Sequence, residues 1–203
     1  MTNLLADLKP NRLGSFNWTN PPLGWDLLPG GGIRVRVPAR ADFFQDPAGR
    51  VQADSAPYLW MPVAGDFTAR AHIRHAFKSI YDAGVIMVSK DATTWAKLCF
   101  EATDFGTHAA VSVVTRGVSD DANGVDLDTD TLWLQVVRRG NVLAMHYAIQ
   151  PGEWRMVRLF HLDLPDVVQV GLVAQCPTGD GAEIDWLEFR LLEGAPENLR
   201  AGK

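Results

Sequence analysis

Lys97 and Glu101 stand four apart in the segment Trp95–Ala102, where an extended chain sends Trp95, Lys97, Cys99 and Glu101 to one side and Ala96, Leu98 and Phe100 to the other. The second set is fit for a core, the first for a ligand face. A Trp ring offers an apolar platform to a sugar, while Lys and Glu hydrogen-bond its hydroxyls. At about 3.3 Å per residue the two charges lie roughly 13 Å apart along the strand, so each needs a partner from a neighbouring strand. Polar residues that interrupt apolar runs supply candidates: Ser112 or Thr115, Gln135 and His146, with Trp133 as a second platform. Trp133, Gln135 and Val137 share one face, opposite Leu134 and Val136; His146 shares its face with Ala144, opposite Met145 and Tyr147. Such a face reads as a ligand groove, as a covered structural face, or as an oligomer interface.

Hydrolysis of a glycoside is the natural enzymatic alternative, since it needs two carboxyl groups about 5 to 10 Å apart. Glu101 is one candidate, and Asp82 from an adjacent strand is the other. Other chemistries lack their residues. No G-x-S-x-G elbow occurs, and Ser112 lies within a strand. Cys99 and Cys176 have no C-x-x-C spacing and lie in apolar runs, so two reduced thiols are expected. His72 and His75 are three apart, which on a strand puts them on opposite faces, and no metal site is expected. Ser119–Asp130, SDDANGVDLDTD, has the outline of a calcium loop but lacks its first Asp, so a solvated acidic loop is expected. The triple glycine Gly30–Gly32 precedes a strand, not a helix, and no phosphate loop or cofactor is expected.

The elements that must position these residues are strands. Pro and Gly punctuate the chain, and few segments hold a helical period for three turns. Trp18–Gly32 reads as a turn-rich entry and 39–49 as a loop. Strand signals fall at Ile33–Val37, Tyr58–Pro62, Phe67–His75, Ala83–Ser89, Trp95–Ala102, Ala109–Arg116, Leu132–Arg138, Val142–Ile149, Met156–Phe160, Val167–Ala174 and Ile184–Leu192. In Phe67–His75, Phe67, Ala69, Ala71 and Ile73 face one way and Thr68, Arg70, His72 and Arg74 the other. Arg138–Asn141 is a tight hairpin turn, and the tail 194–203 is expected to fray. Regular short strands of this kind build an antiparallel β-sandwich or a barrel.

At 203 residues and 47% hydrophobic content, one domain spanning 1–203 is expected. A net charge of −5 gives no footprint for nucleic acid or an anionic membrane surface. The opening residues lack the basic start and long apolar stretch of a secretory signal, and no run approaches a bilayer span, so a cytoplasmic monomer or homodimer is expected. Of seven Trp, Trp18, Trp25, Trp60, Trp154 and Trp186 are assigned to packing or strand entry, which leaves Trp95 and Trp133 as platforms.

The ordered block IYDAGVIMV, TTWAKLCFEA and AAVSVVTRGVSDD resembles the DUF1349 family, also called the regulation-of-enolase family. Its specific pieces are Asp82-Ala83-Gly84, Trp95 with Lys97, Glu101, Ser112–Thr115 and Ser119-Asp120, and the likeness runs from about Phe16 to Phe189. The resemblance implies a concanavalin A-like jelly roll, with the strands of Lys97, Ser112 and Gln135 in one concave sheet that takes a carbohydrate or small polar ligand. The family's name also implies a protein-interaction or regulatory module. Glucanases of that fold typically carry E-x-D-x-x-E with its acids on one face. In AEIDWLEF, Ala182–Phe189, strict alternation puts Glu183 and Asp185 on one face and Glu188 on the other, which sets this region against catalysis.

Overall fold

The computed structural model describes residues 2–203, which form strands and turns with no helix. The first eight strands are β1 (Asn17–Thr19), β2 (Gly24–Leu27), β3 (Ile33–Val37), β4 (Phe43–Gln45), β5 (Gln52–Asp54), β6 (Tyr58–Ala64), β7 (Phe67–His75) and β8 (Ala83–Asp91). They are followed by β9 (Thr94–Ala102), β10 (His108–Arg116), β11 (Val118–Leu127), β12 (Thr131–Arg139), β13 (Val142–Ala148), β14 (Arg155–His161), β15 (Val167–Gln175) and β16 (Ala182–Glu193). All pairings are antiparallel. A front sheet runs β1-β6-β15-β8-β9-β10-β11 and a back sheet β14-β13-β12-β7-β16-β3-β2. The hairpin β4–β5 stands apart from both.

Alternation explains the layers. Ile33, Val35 and Val37 of β3 are buried while Arg34 and Arg36 reach outward. Strand β7 buries Phe67, Ala69, Ala71 and Ile73 against the front sheet, as its pattern requires. Leu98 and Phe100 of β9, Ile86 of β8, and Trp186 and Phe189 of β16 complete the interior. Gly84 faces the back sheet at close range: a Cβ there would meet Ile73 Cγ2 at 2.3 Å and Ile184 Cγ2 at 3.0 Å. His75 crosses the gap to the front sheet, its Nε2 lying 3.0 Å from the Phe100 carbonyl oxygen.

Five segments depart from expectation. The acidic stretch read as a loop pairs with β10 as the edge strand β11, its side chains mostly exposed, because a solvated edge needs no apolar alternation. The turn-rich entry contains β1 and β2, and the loop after β3 supplies β4, all too short to show a period. The tail 194–203 is docked, not frayed: the Leu199 carbonyl lies 2.9 Å from His146 Nε2, and the Gly202 carbonyl accepts from Gln135 Nε2 at 3.2 Å. Last, β16 carries a bulge between Trp186 and Glu188, so Leu187 takes no partner on β7 and the alternation resets. Asp185 then faces Arg74 and Glu188 faces His72, both on the outward side of β7. The segment therefore does present Glu183, Asp185 and Glu188 on one face in the E-x-D-x-x-E spacing, contrary to the strict-alternation reading.

Strand β15 can cross the sheet only with a glycine at 171, where a Cβ would lie 1.9 Å from the Leu59 carbonyl oxygen and 2.6 Å from Trp60 Cα. These are backbone atoms that cannot swing aside. Gly171→Ala is expected to destabilise the fold by about 1–3 kcal/mol, read as a lowered urea midpoint with an unchanged slope.

Candidate functional site

The outer face of β9 is not open. Lys97 is 2% exposed, and its Nζ donates to the Phe43 carbonyl at 2.7 Å and to Gln175 Oε1 at 2.9 Å, with Asp42 Oδ1 at 3.5 Å. The hairpin β4–β5 lies over this face. It is tied down by backbone pairing of Ala41 with Cys176 and by a hydrogen bond from Gln45 N to Ser119 Oγ at 2.9 Å. Phe43 meets the rings of Trp95 and Tyr58 edge-on at 6.3 and 6.2 Å, so Trp95 is sealed beneath the hairpin and cannot serve as a platform.

Beside Lys97 the cover leaves a cavity of about 830 Å³, lined among others by Lys97, Glu101, Asp42, Asp121, Gln175 and Tyr81. Register explains the grouping. Lys97 faces Val113 on β10 and Val113 faces Asp121 on β11, while Ala109 opposite Glu101 leaves room at that level. Burial pushes the Glu101 carboxyl up to about 8, against the opposing pull of Lys97, so at neutral pH it is a proton donor. Burial likewise raises Asp121. Burial pulls on the Lys97 ammonium in the opposite sense, but Asp42, Cys99, Glu101 and Asp121 outweigh it and leave the group raised and charged. Tyr81 lies at the rim with φ +69°, its amide donating to the Ala102 carbonyl at 2.7 Å. A bulky residue in that region is a real outlier, held by its surroundings.

The other expected site residues divide among four places. Lys97 and Glu101 share the cavity. Ser112 pairs with Leu98 and so faces the interior, its hydroxyl buried without a partner. Trp133, Gln135 and His146 lie on β12 and β13, in the back sheet, so the strands of Lys97 and Gln135 do not form one concave sheet. There the docked tail covers Gln135 and His146, and His72 stacks on Trp133 at 4.4 Å and 5°. Asp82 precedes Ala83, which pairs with Glu101, and so points the other way. It is buried in a cleft of about 320 Å³ lined by Arg34, Arg74, His75 and His108, and its Oδ1 has no partner. Asp42, Asp46 and Asp121, and not Asp82, are the carboxyls that share a cavity with Glu101. Sequence reasoning missed Asp42, Asp121, Gln175 and Tyr81. Of these Asp121 left a trace as part of an acidic run, and Tyr81 as part of the block IYDAGVIMV, neither as a site residue.

The carboxylates that the bulge aligns on the back sheet are held by cations. Asp185 accepts from Arg34 Nε at 2.6 Å and from Arg74 Nη2 at 2.7 Å. These two guanidiniums outweigh the effect of burial and keep Asp185 below the usual carboxylate range. Glu188 pairs with Arg190. The E-x-D-x-x-E spacing here serves an arginine lattice.

A family described as protein of unknown function (DUF1349) matches residues 18–193. The chain belongs to the DUF1349 family. Regulation of enolase protein 1 of Saccharomyces cerevisiae is 27% identical over 188 residues, 92% of this chain and 94% of that protein. A crystal structure of a functionally unknown protein from Saccharomyces cerevisiae superimposes with a TM-score of 0.82 at 27% identity, covering 91% of this chain and 98% of that one. The GH43 BlXynB protein from Bacillus licheniformis gives 0.71 at 14% identity over 94% of this chain but 38% of its own. The lumenal domain of VIP36, in a Ca2+/Man3GlcNAc-bound form, gives 0.57 at 10% identity over 94% of this chain and 89% of its own. These likenesses fix the fold as an antiparallel, concanavalin A-like β-sandwich.

Glu101 makes stability depend on pH. Its folded pKa lies above its ordinary 4.5, so the folded state holds a proton that the unfolded chain gives up, and stability falls as pH rises towards and through 8. His75, lowered to about 4 chiefly by burial, acts in the opposite sense only as pH falls below 6.5. Thermal melts from pH 6.5 through 8 are expected to show declining Tm for the wild type and a flatter profile for Glu101→Gln; equal slopes would refute the assignment.

Proposed function

We propose that this protein binds a neutral, polyhydroxylated small ligand, of which a carbohydrate is the leading class, in the cavity between the front sheet and β4–β5. The observation that carries the reading is the pairing of a buried, charged Lys97 with a Glu101 carboxyl raised to about 8 on one cavity wall. A protonated acid and an ammonium donate hydrogen bonds, while Asp42, Asp121 and Gln175 accept them, which suits hydroxyls that do both. Tyr81 at the rim supplies the apolar ring face that the buried Trp95 does not. A GH43 glycoside hydrolase and a Man3GlcNAc-bound domain among proteins of the same fold are consistent with this class and add only analogy.

A hydrolase acting on the same ligand is the second reading, favoured by the proximity of a protonated Glu101 to Asp121, its Coulombic neighbour. It predicts that Glu101→Gln abolishes turnover of a bound glycoside while binding persists.

A glycan array followed by calorimetry on each hit tests binding. Tyr81→Ala and Glu101→Ala are expected to weaken a true hit by about tenfold or more, the scale of one lost stacking or charge-assisted contact. Wild-type affinity should fall as pH passes 8, while Glu101→Gln, which keeps a donor at all pH, should not show that fall. An array without hits, or hits indifferent to both alanine variants, would reject the cavity as a carbohydrate site.

A further inference from the structure

The outer face of the back sheet has a cationic centre that the chain's net charge of −5 conceals. Its strands carry arginines and no lysine. Most are matched: Arg34 and Arg74 grip Asp185, Arg36 meets Asp26, Arg158 meets Asp120, and Arg138 donates to the carbonyls of Gly140, Pro165 and Asp166. Arg70 differs. Among the described residues its one hydrogen-bond acceptor is Gln135 Oε1, 2.7 Å from Nε, and no carboxylate pairs with it.

Directly opposite Arg70, on β16, stands Arg190. Like charges placed directly across a sheet repel, with Cβ atoms about 5 Å apart. Burial, and after it the charge of Arg190, holds the Arg70 guanidinium below its ordinary pKa. Arg190 pairs with Glu188 through Nη2, but its own Nε is buried without a partner. Aromatic rings orient both forks: Arg70 lies 5.2 Å from the centre of the Trp154 ring and Arg190 5.8 Å from that of Trp133. Two arginines are thus set side by side, each beside an aromatic ring, with fewer acceptors than their N–H groups can use.

The geometry points to a binding site for a compact oxyanion, a carboxylate or a phosphate carried on a small molecule, held between the guanidiniums of Arg70 and Arg190 beside Trp154. Adjacent planar forks at cross-strand spacing can bracket one such group with paired N–H···O bonds, which lysines cannot do. Gln135 holds Arg70 by Nε and leaves the two terminal nitrogens for the ligand. Glu188 neutralises one of the two cations, so the centre carries one net positive charge and suits a single anionic head, not a polyanion. This site lies on the sheet opposite the cavity and does not depend on the carbohydrate reading.

The test is saturable stabilisation and tryptophan-fluorescence change on titration with inorganic phosphate and with glucuronate at fixed ionic strength, with glucose as the uncharged control. Wild type is expected to respond to at least one anion and not to glucose at this site. Arg70→Gln should weaken that response at least about tenfold, the scale of a lost charged hydrogen bond, whereas Arg36→Gln should leave it intact. A response to phosphate alone or to glucuronate alone supports the site and selects its ligand class. No saturable response to either anion, or an undiminished one in Arg70→Gln, overturns it. Should that variant fail to fold, Arg70→Lys keeps the charge and loses the fork: weaker binding upholds the inference and full binding refutes it. Glu101→Ala must leave the anion response unchanged, which separates this site's failure from that of the cavity.

Discussion

The ammonium of Lys97 is the constraint around which the front of this molecule is arranged. A lysine on the outside of a sheet ordinarily extends into water, yet this one is enclosed, and an enclosed charge must be given acceptors. The Phe43 carbonyl and Asp42 come from the segment that covers it, and Gln175 from β15, two strands away across β8. Hairpin and lysine therefore require each other. Without the hairpin Lys97 would swing to solvent; without Lys97 the Phe43 carbonyl and the Asp42 carboxylate would lose their buried cation. The same enclosure removes water from Glu101, which makes its carboxyl neutral and turns a covered sheet face into one with hydrogen-bond donors.

The back sheet solves a different electrostatic problem. On β3, β7 and β16 arginine and acid meet in matched register on the outward face, with Asp185 shared between Arg34 on β3 and Arg74 on β7. The bulge at Leu187 is needed for that match: without it Glu188 and Arg190 would both point into the apolar interior. Satisfaction stops at the rung that joins Arg190, Arg70, Gln135 and His146 across four strands. One end of the rung is closed by the docked tail and the other is left with an excess of donors.

The strands were legible because burial on one face writes a period of two into the chain, and β3 and β7 show it plainly. Which face of a strand meets the other sheet is also legible, as Phe67 and Leu98 show. Which sheet a strand joins is not, since apolar alternation looks the same in both; this is why Lys97 and Gln135 were placed together. Nor does alternation reveal a cover. Lys97 reads the same under a hairpin as in water, and the hairpin consists of two strands of three residues each, too short for any period. The bulge hid for a related reason: one extra residue shifts the phase, and only the partner strand reveals where.

Aromatic residues show how burial and function separate. Trp95 has the larger ring and the better position in the sequence, yet it is 1% exposed because apolar area that large gains most by leaving water, and Phe43 is there to meet it. Tyr81 is 38% exposed and sits in a left-handed conformation that costs free energy, with no packing gain of similar size to offset it. Nothing in the stability of the sandwich asks for a tyrosine there. A strained ring held at the mouth of a cavity whose walls carry Lys97 and Glu101 has the arrangement of a contact residue, and this, more than any inherited motif, directs attention to the front sheet.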